Sequence, residues 1–287
     1  MYFQFLGTSA GEQFPGLWCS CPTCAKARSV GGRNIRSNSC AFLSPDCMLD
    51  FGAEVFQQAR KFNIPILDTQ YLFMTHSHAD HFYPQHLLWR WMKPGQALPP
   101  GKDTFGPRFS DLTMLHVYGS ADVCDVLSPH LGEDGEERYR MVLHQVDYGM
   151  EGQAGDIYYL PLEANHRDHK CQAVNYILQR DGRTILYALD TGWFFDHTYA
   201  LIRKFRYDLV VIEGTFGYGV DSSGHFNLNK LERAMNLFRD DDLLKDSASF
   251  CVSHVCPHFS PIHDEYAPIL EEKGITLAFD GMKIDFI

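Results

Sequence analysis

Short apolar and aromatic runs separated by polar turns are the main pattern along this chain. Runs of about four to eight residues that are rich in β-branched and aromatic side chains are typical of buried or half-buried strands. On this basis we predict strands over 2–6, 39–43, 47–51, 71–75, 114–118, 139–146, 157–162, 173–179, 184–189, 209–213, 250–253, 276–278 and 283–286.

Helical patterns lie between these runs and predict helices over 53–62, 87–92, 227–238 and 261–272. Strands that alternate with helices indicate a layered α/β arrangement in which the helices cover the sheets. We find no internal repeat and no linker rich in Gly, Pro and Ser. We therefore expect one domain over residues 1–287.

The segment 93–111 interrupts this pattern. It contains Pro94, Pro99, Pro100, Pro107 and three glycines, which predicts an irregular insertion. Long irregular segments inside a domain are often lids or arms that contact substrate.

Composition and charge narrow the class of protein. Apolar residues make up 45% and charged residues 21% of the chain, which is ordinary for a soluble globular protein. No apolar run approaches the roughly 20 residues that span a membrane, and the N-terminus lacks a secretory pattern. We expect no membrane partner and a cytoplasmic location. The net charge of -11 and the absence of a long Lys/Arg run argue against an extended nucleic-acid partner.

The sequence His76-Ser-His-Ala-Asp-His81 places four candidate metal ligands within six residues, directly after the predicted strand 71–75. Divalent metals need several imidazoles and carboxylates that converge on one point. The side chains at positions 76, 78 and 80 can face one way, and His81 adds a ligand beside Asp80. This loop could therefore serve two metal ions.

Distant residues must complete two coordination spheres. His166, Asp190 and His254 each follow the end of a predicted apolar strand. They could therefore gather at one edge of a sheet, close to the histidine loop.

The histidine motif, followed in order by His166, Asp190 and His254, resembles the signature of the metallo-β-lactamase superfamily. The resemblance implies a four-layer αββα sandwich and a binuclear hydrolase. It assigns the first ion to His76, His78 and His166. It assigns the second ion to Asp80, His81 and His254. Asp190 would bridge the two ions.

A second cluster consists of Cys19, Cys21 and Cys24, in a small insertion near 18–28. Three thiolates at this spacing predict a structural zinc ion that lacks a fourth ligand. His258 is the first candidate for that ligand, and Cys256 is its competitor. The other scattered cysteines are expected to be buried, small apolar residues.

The cysteine insertion resembles the phosphodiesterases of the carbon–phosphorus lyase pathway, which hydrolyse a phosphoribosyl 1,2-cyclic phosphate. The likeness extends to Ala25-Lys-Ala-Arg28, Ser39-Cys40 and Phe279-Asp-Gly-Met282. Two features depart from it: His254 and His258 stand one residue further apart, and the 93–111 insertion is longer. A similar cysteine motif occurs in a protein of pyrroloquinoline quinone biosynthesis, which does not keep the whole histidine motif.

These resemblances imply a phosphodiesterase that acts on a small, cyclic or linear, phosphodiester through a hydroxide shared by two divalent ions (Zn, Mn or Fe). Asp80 would orient the nucleophile. His225 would protonate the leaving oxygen, with a cap or a surface position on the helix 227–238 as the alternative. Other candidate functions are a thioesterase, a β-lactamase, an RNA-processing endonuclease or a catalytically silent metal-binding or sensing module. Assembly as a homodimer is compatible with the sequence.

Overall fold

Two seven-stranded β-sheets form the centre of the computed structural model, which describes residues 1–90, 112–166 and 171–286. The strands of the first sheet are β1 Tyr2–Gly7, β2 Cys40–Leu43, β3 Cys47–Leu49, β4 Tyr71–Phe73, β5 Leu115–Gly119, β6 Met141–Gln145 and β14 Lys283–Asp285. Those of the second are β7 Gly152–Ala154, β8 Ile157–Glu163, β9 Val174–Arg180, β10 Arg183–Ala188, β11 Tyr207–Glu213, β12 Leu244–Ser253 and β13 Thr276–Leu277. The strand orders are β14-β1-β2-β3-β4-β5-β6 and β13-β12-β11-β10-β9-β8-β7.

Helices cover the outer faces of both sheets. They are α1 Pro22–Val30, α2 Val55–Phe62, α3 Pro84–Leu88, α4 Ala121–Leu131, α5 Gly135–Tyr139, α6 Asp196–Ile202, α7 Leu228–Asp240 and α8 His263–Glu271. Short 3₁₀ turns lie at Gly32–Asn34 and Ile66–Asp68. In the described part of the chain, no helix has the length and apolar character needed to cross a membrane.

Three apolar layers explain why the sheets and helices stack in this order. Phe3, Phe73 and Tyr176 belong to the core between the two sheets. A second core joins the first sheet to α2 and α4, and a third joins the second sheet to α6, α7 and α8. Both faces of each sheet are thus removed from water, which is the main favourable contribution to folding. The predicted αββα sandwich is confirmed.

Strand direction brings several chain segments to one edge of the sandwich. In the second sheet, β10, β11 and β12 run parallel, and β8 runs in the same direction because β9 is antiparallel to both β8 and β10. In the first sheet, β3, β4 and β5 are parallel. The carboxyl ends of parallel strands meet at the same edge of a sheet, so the loops that follow them can build one site.

The predicted strands recur in the structure with shifted ends, but several elements escaped prediction. The helices α1, α4, α5 and α6 and the short strand β7 had no predicted counterpart, and β12 begins at Leu244 rather than at residue 250. The predicted helix 87–92 corresponds to α3, which begins at Pro84. The predicted insertion 93–111 lies outside the described residues. The cysteines expected to be buried are so, except for Cys124, which is partly exposed.

A buried arginine ties the N-terminal loop to the C-terminal part of the chain. Arg36 donates from Nη1 to Thr8 Oγ1 at 2.7 Å and to the Ala278 carbonyl at 2.5 Å. Its Nη2 lies 2.8 Å from His263 Nδ1, and because guanidinium only donates, His263 accepts and is neutral. Burial, together with the positive charge of Arg36, lowers the pKa of His263 to about 4.

Acidification should therefore weaken the fold through His263. Because the pKa in the folded state lies below the usual value of about 6.5, the stabilisation is complete above that value and is lost as the pH falls towards 4. Between pH 7 and pH 5, the unfolding free energy of the wild-type protein should fall by about 1–2 kcal/mol more than that of His263→Gln, because the variant has no ring to titrate. Urea unfolding of both proteins at the two pH values measures the difference. An identical pH dependence in both proteins would contradict this account.

Candidate metal centre

The predicted histidine loop follows β4 and ends at Phe82, which forms an isolated β-bridge with Phe51. His76 and His81 are fully buried, whereas His78 and Asp80 are partly exposed. The loop is held at its start by Asp50, whose Oδ1 accepts from the Thr75 amide at 2.9 Å and from Thr75 Oγ1 at 2.7 Å. The loop thus presents some ligands to the interior and others to the open side.

The seven predicted ligands fall into two adjacent groups in which all ligand atoms lie within 4.8 Å of one another. The first group is His76, His78 and His166. The second group is Asp80, His81, Asp190 and His254. The structure therefore brings together every residue that the resemblance assigns to the two active-site ions.

Asp190 lies between the two groups. Its Oδ2 is 2.7 Å from His81 Nε2 and 3.3 Å from His254 Nε2. The same oxygen is 3.4 Å from Nε2 of His76, a member of the other group. One carboxylate oxygen thus contacts imidazole nitrogens of both groups.

Three histidines have their Nδ1 atoms occupied, which leaves Nε2 directed into the cluster. His81 Nδ1 donates to Asp50 Oδ2 at 2.8 Å. Thr75 Oγ1 donates to Asp50 and so accepts from His76 Nδ1 at 3.0 Å. Such contacts fix the tautomer and the ring orientation of metal-binding histidines.

His254 is oriented in the same way. Thr215 Oγ1 donates to the His254 carbonyl at 3.1 Å and accepts from His254 Nδ1 at 2.9 Å. Within the described residues, the buried Nε2 of His76 has no hydrogen-bond partner. A buried nitrogen without a partner is costly, and a cation at this point would satisfy it. The donor set therefore fits divalent metal ions.

The electrostatics of the cluster also suit a cation. Burial, reinforced by His81, lowers the pKa of His76 well below its usual value, so this ring is neutral. Burial tends to raise the pKa of Asp190, but His254 and His81 outweigh it, and the pKa lies well below the usual range. Burial tends to lower the pKa of His81, yet the carboxylates of Asp50, Asp80 and Asp190 raise it. A divalent ion would take the place of the proton that these carboxylates attract.

Two ligands have left-handed backbone conformations. The φ angle is 45° at Asp190 and 56° at His254, and Asp50 beside them has a φ of 61°. Such conformations in residues other than glycine cost roughly 1 kcal/mol or more and cluster at functional sites. The strain lies at the strand ends where the carboxylate and the imidazole turn into the cluster.

His225 stands beside the cluster in the loop before α7. Its Nδ1 lies 2.9 Å from Glu213 Oε1 and 3.6 Å from Asp190 Oδ1. Burial tends to lower the pKa of His225, but the fully buried Glu213 raises it. Asn227, not His225, caps α7, because its side chain accepts from the Lys230 amide at 3.1 Å. His225 is therefore available to the site.

The cysteine cluster is present, but its predicted fourth ligand is not among its members. The thiols of Cys19, Cys21 and Cys24 lie within 4.8 Å of one another. His258 is exposed and groups instead with Cys256 and Glu12. This second group joins Glu12 of the N-terminal loop to the loop after β12, and the fourth ligand of the cysteine cluster stays a prediction.

Sequence analysis did not find the residues that hold the ligands in place. They are Asp50, Thr75 and Thr215, together with Glu213, which holds His225. Asp50, Glu213 and Thr215 lie at or just beyond the carboxyl ends of strands, as the ligands do. That position is the one signal that could have identified them, since none of them belongs to a dense motif.

Comparison with known proteins identifies the family and the fold. Residues 45–244 match the model of the beta-lactamase superfamily domain. The zinc-bound PqqB from Methylobacterium extorquens has a similar structure, with a TM-score of 0.74, 16% identity and coverage of 100% of both chains. A diphosphatase of the PhnP family gives 0.72 and 17% over 100% of this chain and 98% of the other. The short form of human tRNase Z gives 0.64 and 17% over 100% of both.

No curated protein sequence matches the chain significantly. The solved structures share less than a fifth of their residues with it, so they establish the fold and not a substrate. The family match extends over more than half of the chain and includes the histidine loop, His166 and Asp190. The chain therefore belongs to the beta-lactamase superfamily and has the metallo-β-lactamase fold of its metal-dependent hydrolases.

Proposed function

We propose that the protein is a binuclear metal-dependent phosphodiesterase that cleaves a small phosphodiester. The observation that carries this proposal is the pairing of His225 with Glu213 directly beside a complete set of metal ligands. A set of metal ligands by itself is compatible with many hydrolytic reactions. A histidine held by a buried carboxylate at the edge of the cluster adds a proton donor for a poor leaving group.

We assign the first ion to His76, His78 and His166. We assign the second to Asp80, His81 and His254, with Asp190 between the ions. When bound, zinc, manganese or iron would lower the pKa of a coordinated water and neutralise charge on the phosphoryl oxygens. Mixed imidazole and carboxylate sites accept several of these metals, so availability decides among them.

The chain's own groups then have separate tasks. Asp80, whose Oδ2 lies 3.4 Å from His81 Nε2, is partly exposed and accepts a hydrogen bond from the attacking water. The oxygen of this water forms the new bond to phosphorus, and the proton that it loses passes to solvent. As the P–O bond breaks, its electron pair stays on the leaving oxygen, which receives a proton from His225. Glu213 holds the His225 ring and stabilises its protonated form. The carboxylate of Glu213 thus keeps the ring protonated before the transfer and holds it in position afterwards.

The net negative charge of the chain favours a small substrate over a long polyanion. The net charge of -11 disfavours a long polyanion, while a single phosphodiester can be neutralised by the two ions. Among the similar structures, one is named a diphosphatase and another a tRNase, both of which are names of enzymes acting on phosphate linkages. These names support phosphate-ester chemistry here.

The experiment compares three substrates on protein of known metal content. Bound metal is quantified by mass spectrometry, and bis(p-nitrophenyl) phosphate, a β-lactam and a thioester are then assayed. We expect turnover of the diester well above that of the other two. A fully metallated protein that leaves the diester intact would overturn the proposal, and preferential thioester or β-lactam turnover would favour those activities instead.

We further propose that Cys19, Cys21 and Cys24 bind a structural zinc ion, with His258 or Cys256 as the fourth ligand. Cys21→Ser should remove one zinc per chain and lower the melting temperature by about 5 °C or more, because each lost kcal/mol lowers it by about 2–4 °C in a domain of similar size. Cys124→Ser, outside the cluster, should keep its zinc. Metal analysis and thermal unfolding of the three proteins decide the matter, and unchanged zinc in Cys21→Ser would refute the assignment.

A further inference from the structure

A row of four rings leads away from the metal ligands. The ring centroids of His166 and His225 are 5.0 Å apart, and those of His225 and Phe216 are 5.4 Å apart with an interplanar angle of 27°. Phe216 stacks on Phe259 at 4.6 Å and 16°. All four side chains are partly exposed. The row thus starts at a predicted ligand, passes through the proton donor and continues as two phenyl rings.

The two phenyl rings are held by the backbone around them. Tyr218 donates its amide to the Phe259 carbonyl at 2.8 Å, and the Gly219 amide donates to the Phe216 carbonyl. A Cβ atom at Gly219 would lie 2.8 Å from Phe259 Cδ1 and 2.7 Å from the Phe216 carbonyl, so only glycine fits against this pair. Rings that are fixed in advance lose little conformational entropy when a ligand packs on them.

Within the described residues, no cation packs on the exposed parts of these two rings, since the cation–π contacts there involve other rings. Lys230, the cation nearest in sequence to His225, donates to the carbonyls of Ser222 and His225 and pairs with Asp221. The phenyl pair is thus an apolar surface next to a charged centre.

We infer that Phe216 and Phe259 form a subsite for an aromatic ring carried by the leaving group of the diester. This inference rests on the proposed function, because it places the leaving oxygen at His225. Phe216 stacks on the His225 ring with centroids 5.4 Å apart, so an aromatic group attached to that oxygen has the phenyl pair within reach. Aromatic rings are well suited to pack there by edge or offset contacts. The substrate class is therefore a diester with an aryl or nucleobase-bearing leaving group.

The test uses two diesters that share a methyl group and differ in the leaving group: methyl phenyl phosphate and methyl trifluoroethyl phosphate. Release of methyl phosphate is followed by ³¹P NMR. Phe216→Leu and Phe259→Leu should each raise KM for the phenyl ester about tenfold, in line with the loss of one aromatic stacking partner. KM for the trifluoroethyl ester and kcat for both should change less than twofold. Phe56→Leu, which alters a half-exposed ring on α2, is the matched control.

A purely structural role of Phe216 would disturb His225 and lower kcat for both esters equally, which would refute the subsite. A second measurement does not depend on turnover. By calorimetry, the metal-loaded protein should bind phenyl phosphate more tightly than methyl phosphate, and Phe216→Leu should abolish that preference. Equal binding of the two monoesters would also refute the subsite. Failure of the wild-type protein to cleave either diester would overturn the proposed function, whereas cleavage without ring selectivity would overturn only this inference.

Discussion

Replacing Asp190 by Asn should reduce diester hydrolysis by about a thousandfold or more and remove at least one active-site metal ion. Oδ2 of Asp190 lies within 3.4 Å of three imidazole nitrogens that belong to both ligand groups. The amide keeps the shape of the side chain but loses its charge, so two cations would face each other without the anion between them. Loss of several kcal/mol of metal and transition-state stabilisation corresponds to that factor.

The measurement for Asp190 combines metal analysis with kinetics on the same preparations. Asp196→Asn is the matched control, because Asp196 is an exposed residue in the first turn of α6. It should retain full metal content and turnover. An Asp190→Asn protein with two active-site ions and ordinary kcat would show that this carboxylate does not bridge the ions.

For methyl trifluoroethyl phosphate, whose alkoxide leaving group needs a proton, replacing His225 by Ala should lower kcat by about 10²–10⁴ and leave the metal content unchanged, the range found when a general acid is removed. The ring contacts Glu213 and approaches Asp190 but belongs to neither of the two main ligand groups. Glu213→Gln should cause a smaller decrease in kcat, since the amide can still contact the ring but does not stabilise its positive charge.

His197→Ala is the control for His225, because His197 also pairs with a glutamate, at 2.6 Å from Glu163, but is exposed on α6. It should leave kcat unchanged within about twofold, as expected for a surface pair. Loss of an active-site ion in His225→Ala would identify His225 as a ligand, for which its grouping with His166 and Asp190 provides the geometry. An unchanged kcat with full metal content would exclude the proton-donor role.

The ligands could be predicted from sequence because each lies in a dense motif or directly follows a strong apolar strand. The histidine loop follows Tyr71–Phe73, and Asp190 and His254 follow β10 and β12 closely. Strands of this kind are visible as short apolar runs. Parallel pairing then forces their ends to one edge, so the sequence order contains much of the spatial arrangement.

The residues that orient the ligands could not be predicted, because their partners are distant in sequence. Asp50 contacts His81, which lies 31 positions further along the chain, and Thr215 contacts His254, which lies 39 positions further along. A lone Asp or Thr at a strand end has no local signature of such a contact. The helix α4 was missed although Val123, Leu127 and Leu131 are spaced four apart on its buried face, because Pro129 and a mixed composition interrupt the pattern.

The cysteine cluster shows the same limit. Cys19, Cys21 and Cys24 are close in sequence and therefore close in space. The choice between Cys256 and His258 depends on how the loop after β12 packs against the N-terminal loop, which no local pattern encodes. The structure places Cys256 in the interior and His258 at the surface.

The central claim is that two ions in the described cluster act together on a phosphodiester. The most direct test measures turnover of bis(p-nitrophenyl) phosphate as metal is returned to chelated protein, with the number of ions per chain read by native mass spectrometry and the cysteine site accounted for by the Cys21→Ser variant. We predict that turnover follows the population with two active-site ions. Full turnover with a single active-site ion, or none with two, would contradict this claim.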